Sequence, residues 1–284
     1  YIKEAKKKIA KTLKVDEKEI LFTSGGTESN NTALIGAALA NKRAGNHIIT
    51  TSIEHASVSA VTGYLEELGF RVTYLKVDAD GIISLDELRE AVCEDTILVS
   101  MMMVNNEIGA VEPIEEAIKV IKEKNPNTLV HVDAIQSYGK FRIYPKKSGI
   151  DLLSVSGHKI HGPKGVGFLY IDEKVKIRPL IYGGGQQKDM RSGTENVAGI
   201  IGLATAADIA VNTLHYRMEK EWNIQRYMAE RIVNEIPYTN INGNMTGRVS
   251  GNINICFKGI SAGELVLLLD KQGICVSSGS ACHG

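Results

Sequence analysis

None of the four cysteines, Cys93, Cys256, Cys275 and Cys282, belongs to a CxxC pair. That excludes the usual ligand spacing of a zinc ribbon and of a thioredoxin-like redox site. Four scattered cysteines in 284 residues read as reduced thiols rather than a disulfide framework. Net charge is absent as well, since 33 basic residues balance 33 acidic ones. The chain therefore has no electrostatic footprint for nucleic acid or an anionic membrane. No apolar run approaches the roughly 20 residues of a bilayer span, and the first residues lack a signal-peptide h-region. The expectation is a cytoplasmic protein with neither nucleic-acid nor membrane partners. His158 and His161 lie three apart, but no acid stands between them and Gly-Pro follows, so no metal site is expected. Internal repeats and low-complexity tracts are also missing.

What is present is an alternation. Short apolar runs at 19–23, 47–50, 72–75, 96–100, 128–133, 151–155 and 165–171 read as strands. Between most of them lie segments of helical periodicity, at 32–42, 55–68, 85–92 and 114–124, and another such segment opens the chain at 1–14. Continuous apolar strands alternating with amphipathic helices predict an α/β fold with a mostly parallel sheet covered by helices. Residues 195–236 read as one long helical stretch leading into a smaller α+β unit, with strands at 250–257 and 274–276 and a helix at 262–271. The domain boundary is expected near 210, giving a large unit at 1–210 and a small one at 211–284.

The segment Asp151-Leu-Leu-Ser-Val-Ser-Gly-His-Lys-Ile-His-Gly-Pro-Lys-Gly165 delivers Lys159 at the end of a buried strand, among small residues. A lysine so placed suits a Schiff base to an aldehyde, because burial or a nearby cation disfavours the charged amine. Pyridoxal phosphate is the cofactor that uses such lysines. Ser24-Gly-Gly-Thr-Glu-Ser follows a strand and opens a helix, as an anion cradle does; the alternative is a loop capped by Thr27 or Ser29. It lacks the Walker A pattern. Asp133 ends a strand where ligands bind in open α/β sheets and could keep a pyridine nitrogen protonated, or could be a helix N-cap. Gln136 could hydrogen-bond the phenolic oxygen of such a ring. His55 sits between a strand and a helix, as a ring-stacking acid/base or an ordinary loop histidine. Asn106 either contacts cofactor and substrate or stabilises its turn. Thr194 follows Arg191-Ser-Gly in a polar loop and could contact a phosphate, its own subunit's or a neighbour's. Cys282 closes the small, polar run Val276-Ser-Ser-Gly-Ser-Ala, which suits a reactive thiol; Cys93, Cys256 and Cys275 read as structural.

These stretches occur in the order of one family. Phe22-Thr-Ser-Gly-Gly-Thr-Glu-Ser, Glu54-His, Val104-Asn-Asn-Glu-Ile-Gly, His131-Val-Asp-Ala-Ile-Gln, Ser154-Val-Ser-Gly-His-Lys, Met190-Arg-Ser-Gly-Thr and Ser277-Ser-Gly-Ser-Ala-Cys make the chain resemble the NifS/IscS-type cysteine desulfurases. Those are class V, fold-type I pyridoxal-phosphate enzymes. The resemblance implies that Lys159 carries the cofactor aldehyde, Asp133 pairs with the pyridine nitrogen, Gln136 meets the phenolic oxygen and His55 stacks on the ring. Gly26, Thr27, Ser156 and His158 would bind the phosphate, with Thr194 serving the partner subunit of a homodimer. Asn106 would lie beside a cofactor oxygen and the substrate carboxylate. It further implies L-cysteine as substrate, alanine as product, a persulfide on Cys282 and a sulfur acceptor such as an iron–sulfur scaffold. Relatives use an arginine downstream of the cysteine to clamp the substrate carboxylate; the 284 residues hold no counterpart. His283 also replaces the threonine that many relatives carry after the cysteine. The competing readings are another class V enzyme, such as a selenocysteine lyase or aminotransferase, and a non-catalytic binding or scaffold homologue.

Overall fold

The computed structural model describes residues 1–279. In chain order its elements are α1 (Ile2–Leu13), β1 (Ile20–Thr23), α2 (Gly26–Asn41), β2 (His47–Thr51), α3 (Ala56–Glu67), β3 (Arg71–Leu75), α4 (Leu85–Ala91), β4 (Thr96–Met102), α5 (Ile114–Lys124), β5 (Leu129–Asp133), α6 (Pro145–Ser148), β6 (Leu152–Ser156), β7 (Gly167–Ile171), α7 (Val197–Asn212), α8 (Leu214–Glu235), β8 (Thr239–Ile241), β9 (Ile255–Phe257) and α9 (Ala262–Asp270). The first seven strands form one sheet, ordered β1-β7-β6-β5-β4-β2-β3.

Strands β3, β2, β4, β5 and β6 are mutually parallel, as their continuous apolar runs predict. Side chains of adjacent strand residues go to opposite faces. Val99 and Leu153 join the core beneath α1, α4, α5 and α7, whereas Leu98 and Leu152 join a second core beneath α2 and α3. Strand β7 runs antiparallel to both of its neighbours, β6 and β1. Two reversals leave β1 pointing the same way as β6. The ends of β1, β4, β5 and β6 therefore meet along one edge of the sheet.

Four expectations need correction. Helix α2 begins at Gly26 rather than Thr32, so the glycine turn is itself the helix's first turn. The stretch expected to be one helix at 195–236 is two, α7 and α8, bent by 71° at Thr213. There the Thr213 hydroxyl donates to the Ile209 carbonyl and competes with the helix ladder. In the C-terminal part, the strand expected at 250–257 shortens to β9, because Gly251 takes a left-handed φ of 76°. Residues 274–276 form no strand. Strands β8 and β9 make a separate two-stranded sheet, and α9 buries none of its residues. No single helix among the described residues is long and apolar enough to cross a membrane.

Candidate active site

The β1–α2 junction is tight. A Cβ on Gly26 would stand 2.2 Å from Ile135 Cδ1, and one on Gly167 would stand 2.8 Å from the Gly25 Cα. Only glycine allows these approaches. Helix α2 starts with no side-chain cap on its first amides, which leaves an electropositive end facing outward. Glu28, two residues in, accepts from the Ser24 amide at 2.8 Å and from Arg191 at 2.9 and 3.2 Å. Burial opposes the Glu28 charge, but those donors hold its carboxyl below the usual range. The pair neutralises an acid that would otherwise repel an anion, and it ties the 190–194 loop to the cradle. Thr27 is exposed in the same turn. From the adjoining strand end, Ser156 Oγ lies 2.9 Å from His158 Nδ1. Burial first, then Lys159 and Lys164, push the His158 pKa down, so its ring is a neutral hydrogen-bonding partner.

Asp133 ends β5 and is 4% exposed. Its Oδ1 accepts from the Ile135 amide at 2.9 Å and its Oδ2 from Asn30 Nδ2 at 2.8 Å. Gly26 and Asn30 share a face of α2 at i, i+4 spacing, so the helix that forms the cradle also delivers the donor. Burial raises the Asp133 pKa, opposed by both hydrogen bonds and by the charges of His55 and Lys159. His55 and Lys159 thus both act on the Asp133 carboxyl. Lys159 is partly buried in the 3-10 turn Gly157–Ile160 directly after β6.

His55 caps α3, its Nδ1 accepting from the Ser57 amide at 3.1 Å. With Thr27, Asn31, Ser57 and Tyr64 it lines a cleft of about 370 Å³. Glu54, beside it, bridges two strand ends by accepting from Thr51 Oγ1 and the Met102 amide, each at 2.8 Å. Burial, reinforced by the Asp133 charge, pushes its carboxyl up to about 8, so it is neutral at pH 7. Asn105 orders the next loop by accepting from the Glu107 and Ile108 amides. Asn106, half-buried there, donates to Glu107 Oε1 at 3.1 Å. Gln136 is half-buried just past Asp133.

The structure therefore brings Gly26, Thr27, His55, Asp133, Gln136, Ser156, His158 and Lys159 to one sheet edge. Thr194 lies on the loop that the Glu28–Arg191 pair ties to the cradle. It is exposed and lines a separate hollow of about 120 Å³ with Thr23, Ser24, Gly165 and Arg191. Cys282 lies outside the described residues. Cys93, Cys256 and Cys275, expected to be structural, are all exposed. The sequence reading missed Asn30, Ser57, the Glu28–Arg191 pair and the bridging role of Glu54. Asn30 had one visible signal: an amide on the Gly26 face of a helix otherwise rich in small apolar residues.

The family model for class-V aminotransferases matches residues 1–284. Over 280 residues the chain is 46% identical to the cysteine desulfurase IscS of Clostridium botulinum, covering 98% of this chain and 70% of the relative. With the IscS of Methanosarcina thermophila it shares 47% over 279 residues, covering 98% and 68%. The chain belongs to the class-V aminotransferase family, in its NifS/IscS cysteine desulfurase branch. The structure agrees. A solved NifS-like protein superposes with a TM-score of 0.94 at 42% identity, covering 98% of this chain and 75% of that one. SspA, solved in complex with cysteine, superposes at 0.81 with 37% identity, covering 99% and 78%. The cofactor of this desulfurase branch is pyridoxal 5'-phosphate. The residues present fit it. An uncapped helix start packed too closely for any Cβ suits a phosphate, the buried Asp133 carboxylate suits a pyridinium, and Lys159 suits an aldehyde.

Proposed function

We propose that this desulfurase takes sulfur from free L-cysteine, releases L-alanine and carries the sulfur as a persulfide on Cys282. The observation that carries this reading is Asp133. It is a strand-end carboxylate held by two donors, in the field of both Lys159 and His55. Lys159 would hold the cofactor aldehyde, Asp133 the ring nitrogen and Gln136 the phenolic oxygen. Thr27, Ser156, His158 and the Gly26 amide would hold the phosphate. When bound, the cofactor supplies an aldehyde for amines and a ring that accepts an electron pair from the substrate Cα.

The remaining chemistry belongs to the chain. Asp133 would keep a proton on the ring nitrogen, its two donors opposing the burial that otherwise raises its pKa. Lys159, as a free amine, takes the Cα proton. His55 faces the cleft as a proton donor or acceptor, and Asn106 orients the substrate carboxylate. The Cys282 thiolate then attacks the substrate sulfur: an S–S bond forms and the Cβ–Sγ bond breaks. The electron pair stays with Cβ, which takes a proton to complete alanine. In sum, one thiol and one cysteine become one persulfide and one alanine.

We place the site at a homodimer interface. In a single chain Thr194 is exposed at the margin of the cradle, beside Ser24 and Arg191, which fits a residue that serves a neighbouring copy. An iron–sulfur scaffold is a fitting acceptor, in a cytoplasmic setting. The test is direct. Borohydride reduction of cofactor-loaded protein, followed by peptide mass spectrometry, should fix the vitamin B6 group on Lys159. With L-cysteine, alanine and protein-bound persulfide should form in equal amounts. A Cys282→Ser variant that released sulfide at the full rate would sink the persulfide step.

A further inference from the structure

One buried amide joins the two halves of the site. Asn30 is 0% exposed, and its Nδ2 donates to Asp133 Oδ2 at 2.8 Å and to Ser57 Oγ at 2.9 Å. An amide nitrogen carries two hydrogens and accepts nothing, so both contacts are donations. The opposite amide orientation would set Oδ1 against a carboxylate oxygen, acceptor against acceptor. With Asp133 as the carboxylate that pairing with a pyridinium requires, the orientation of Asn30 is therefore selected.

That choice propagates. Ser57 Oγ accepts from Asn30, so its own hydrogen is available to His55 Nδ1, 2.9 Å away. The Ser57 amide points at the same nitrogen from 3.1 Å. Two donors converge on Nδ1, which leaves that nitrogen no hydrogen of its own in the neutral ring. We propose that Asn30 and Ser57 are positioning residues that fix neutral His55 as the Nε2–H tautomer and couple that choice to the ionised state of Asp133. The ring then keeps its single hydrogen on the nitrogen remote from the α3 cap. Neither residue needs to touch cofactor or substrate.

Only the kinetic consequence rests on the desulfurase reading; the tautomer is a property of the hydrogen-bond chain. Nitrogen-15 NMR of histidine-labelled, cofactor-loaded protein, with the His55 signals assigned through His55→Gln, should show hydrogen on Nε2 and none on Nδ1. Asn30→Asp keeps the side-chain shape, but an oxygen in place of Nδ2 has at most one hydrogen and cannot donate to both partners. It should raise the Nδ1–H population and lower kcat by about 10- to 100-fold, with KM within about threefold. Ser57→Ala removes one of the two donors on Nδ1 and should produce a smaller rise. It also serves as the test if Asn30→Asp does not fold. A wild-type His55 protonated at Nδ1 overturns the proposal, as do variants with the wild-type tautomer. Borohydride fixation on Lys159 reports separately on the desulfurase reading.

Discussion

At the start of its strands the sheet leaves little polar hydrogen bonding unmet, whereas at their ends it leaves several groups open. His47, buried at the head of β2, has Nδ1 2.8 Å from Thr96 and Nε2 2.9 Å from Thr73. Asn125 donates there to the carbonyls of Cys93 and Glu94, each at 3.1 Å. Further inside, His131 is matched by Ser100 and Ser154. At the other edge, Asn30 Oδ1, Thr50 Oγ1, Glu54 Oε2 and Ser137 Oγ are buried without a partner. The remaining buried orphans among the described residues, on Glu112, Arg248 and Asn252, belong to the loops beyond that edge. Each such group costs about 1–3 kcal/mol. One fold thus satisfies its polar groups where they serve structure and tolerates unmet ones where chemistry is done.

The contrast can be broken most sharply at Asp133. Asp133→Asn should lower kcat by about 10²- to 10³-fold in steady-state kinetics, because an amide does not stabilise the ring charge. Its thermal midpoint should hold or rise, since a buried charge is removed. A large loss of stability would contradict the division between edges.

The two edges should also fail in opposite pH directions. Burial drives the His131 pKa down to about 3 and that of His47 to about 4, against 6.5 in the unfolded chain. Between those values the unfolded chain binds more protons, so stability falls as pH drops below about 6.5. His131 alone should contribute on the order of 5 kcal/mol once pH falls below both values. Glu54 behaves in reverse. Its folded pKa of about 8 exceeds the ordinary 4.5, so stability falls as pH rises from 4.5 through 8. Urea unfolding across pH should show both limbs, with His47→Gln flattening the acid one and Glu54→Gln the alkaline one.

The smallest effect is expected at Asn125. Asn125→Ala should cost about 1–3 kcal/mol of unfolding free energy through the stranded carbonyls, while kcat stays within about twofold. A comparable loss of activity would show that the far edge also shapes the site.

Most of the sheet was legible because its strands are continuous apolar runs, and the strand-end positions of Asp133, Lys159 and His55 followed from them. The first turn of α2 was legible only in part. Ser24-Gly-Gly-Thr-Glu-Ser reads as opening a helix, but helical periodicity starts only at 32; the chain is helical from Gly26, where Gly26 fits under Ile135 and Glu28 reaches back to Ser24. The break at Thr213 was hidden for a similar reason, since periodicity continues through it while the direction turns by 71°. Asn30 and Ser57 looked like ordinary polar helix residues, because their partners are distant in sequence.

The order of amino acids by itself determined the alternation of strand and helix and set a lysine, an aspartate and a histidine at element ends. Periodicity and turn chemistry act over a few neighbouring residues, so they can be read along the chain. Only the tertiary structure decided that an amide on α2 meets a carboxylate 103 residues away, and through Ser57 a histidine. A hydrogen bond forms or fails within a few tenths of an ångström, and that distance is set by how helices seat on a sheet.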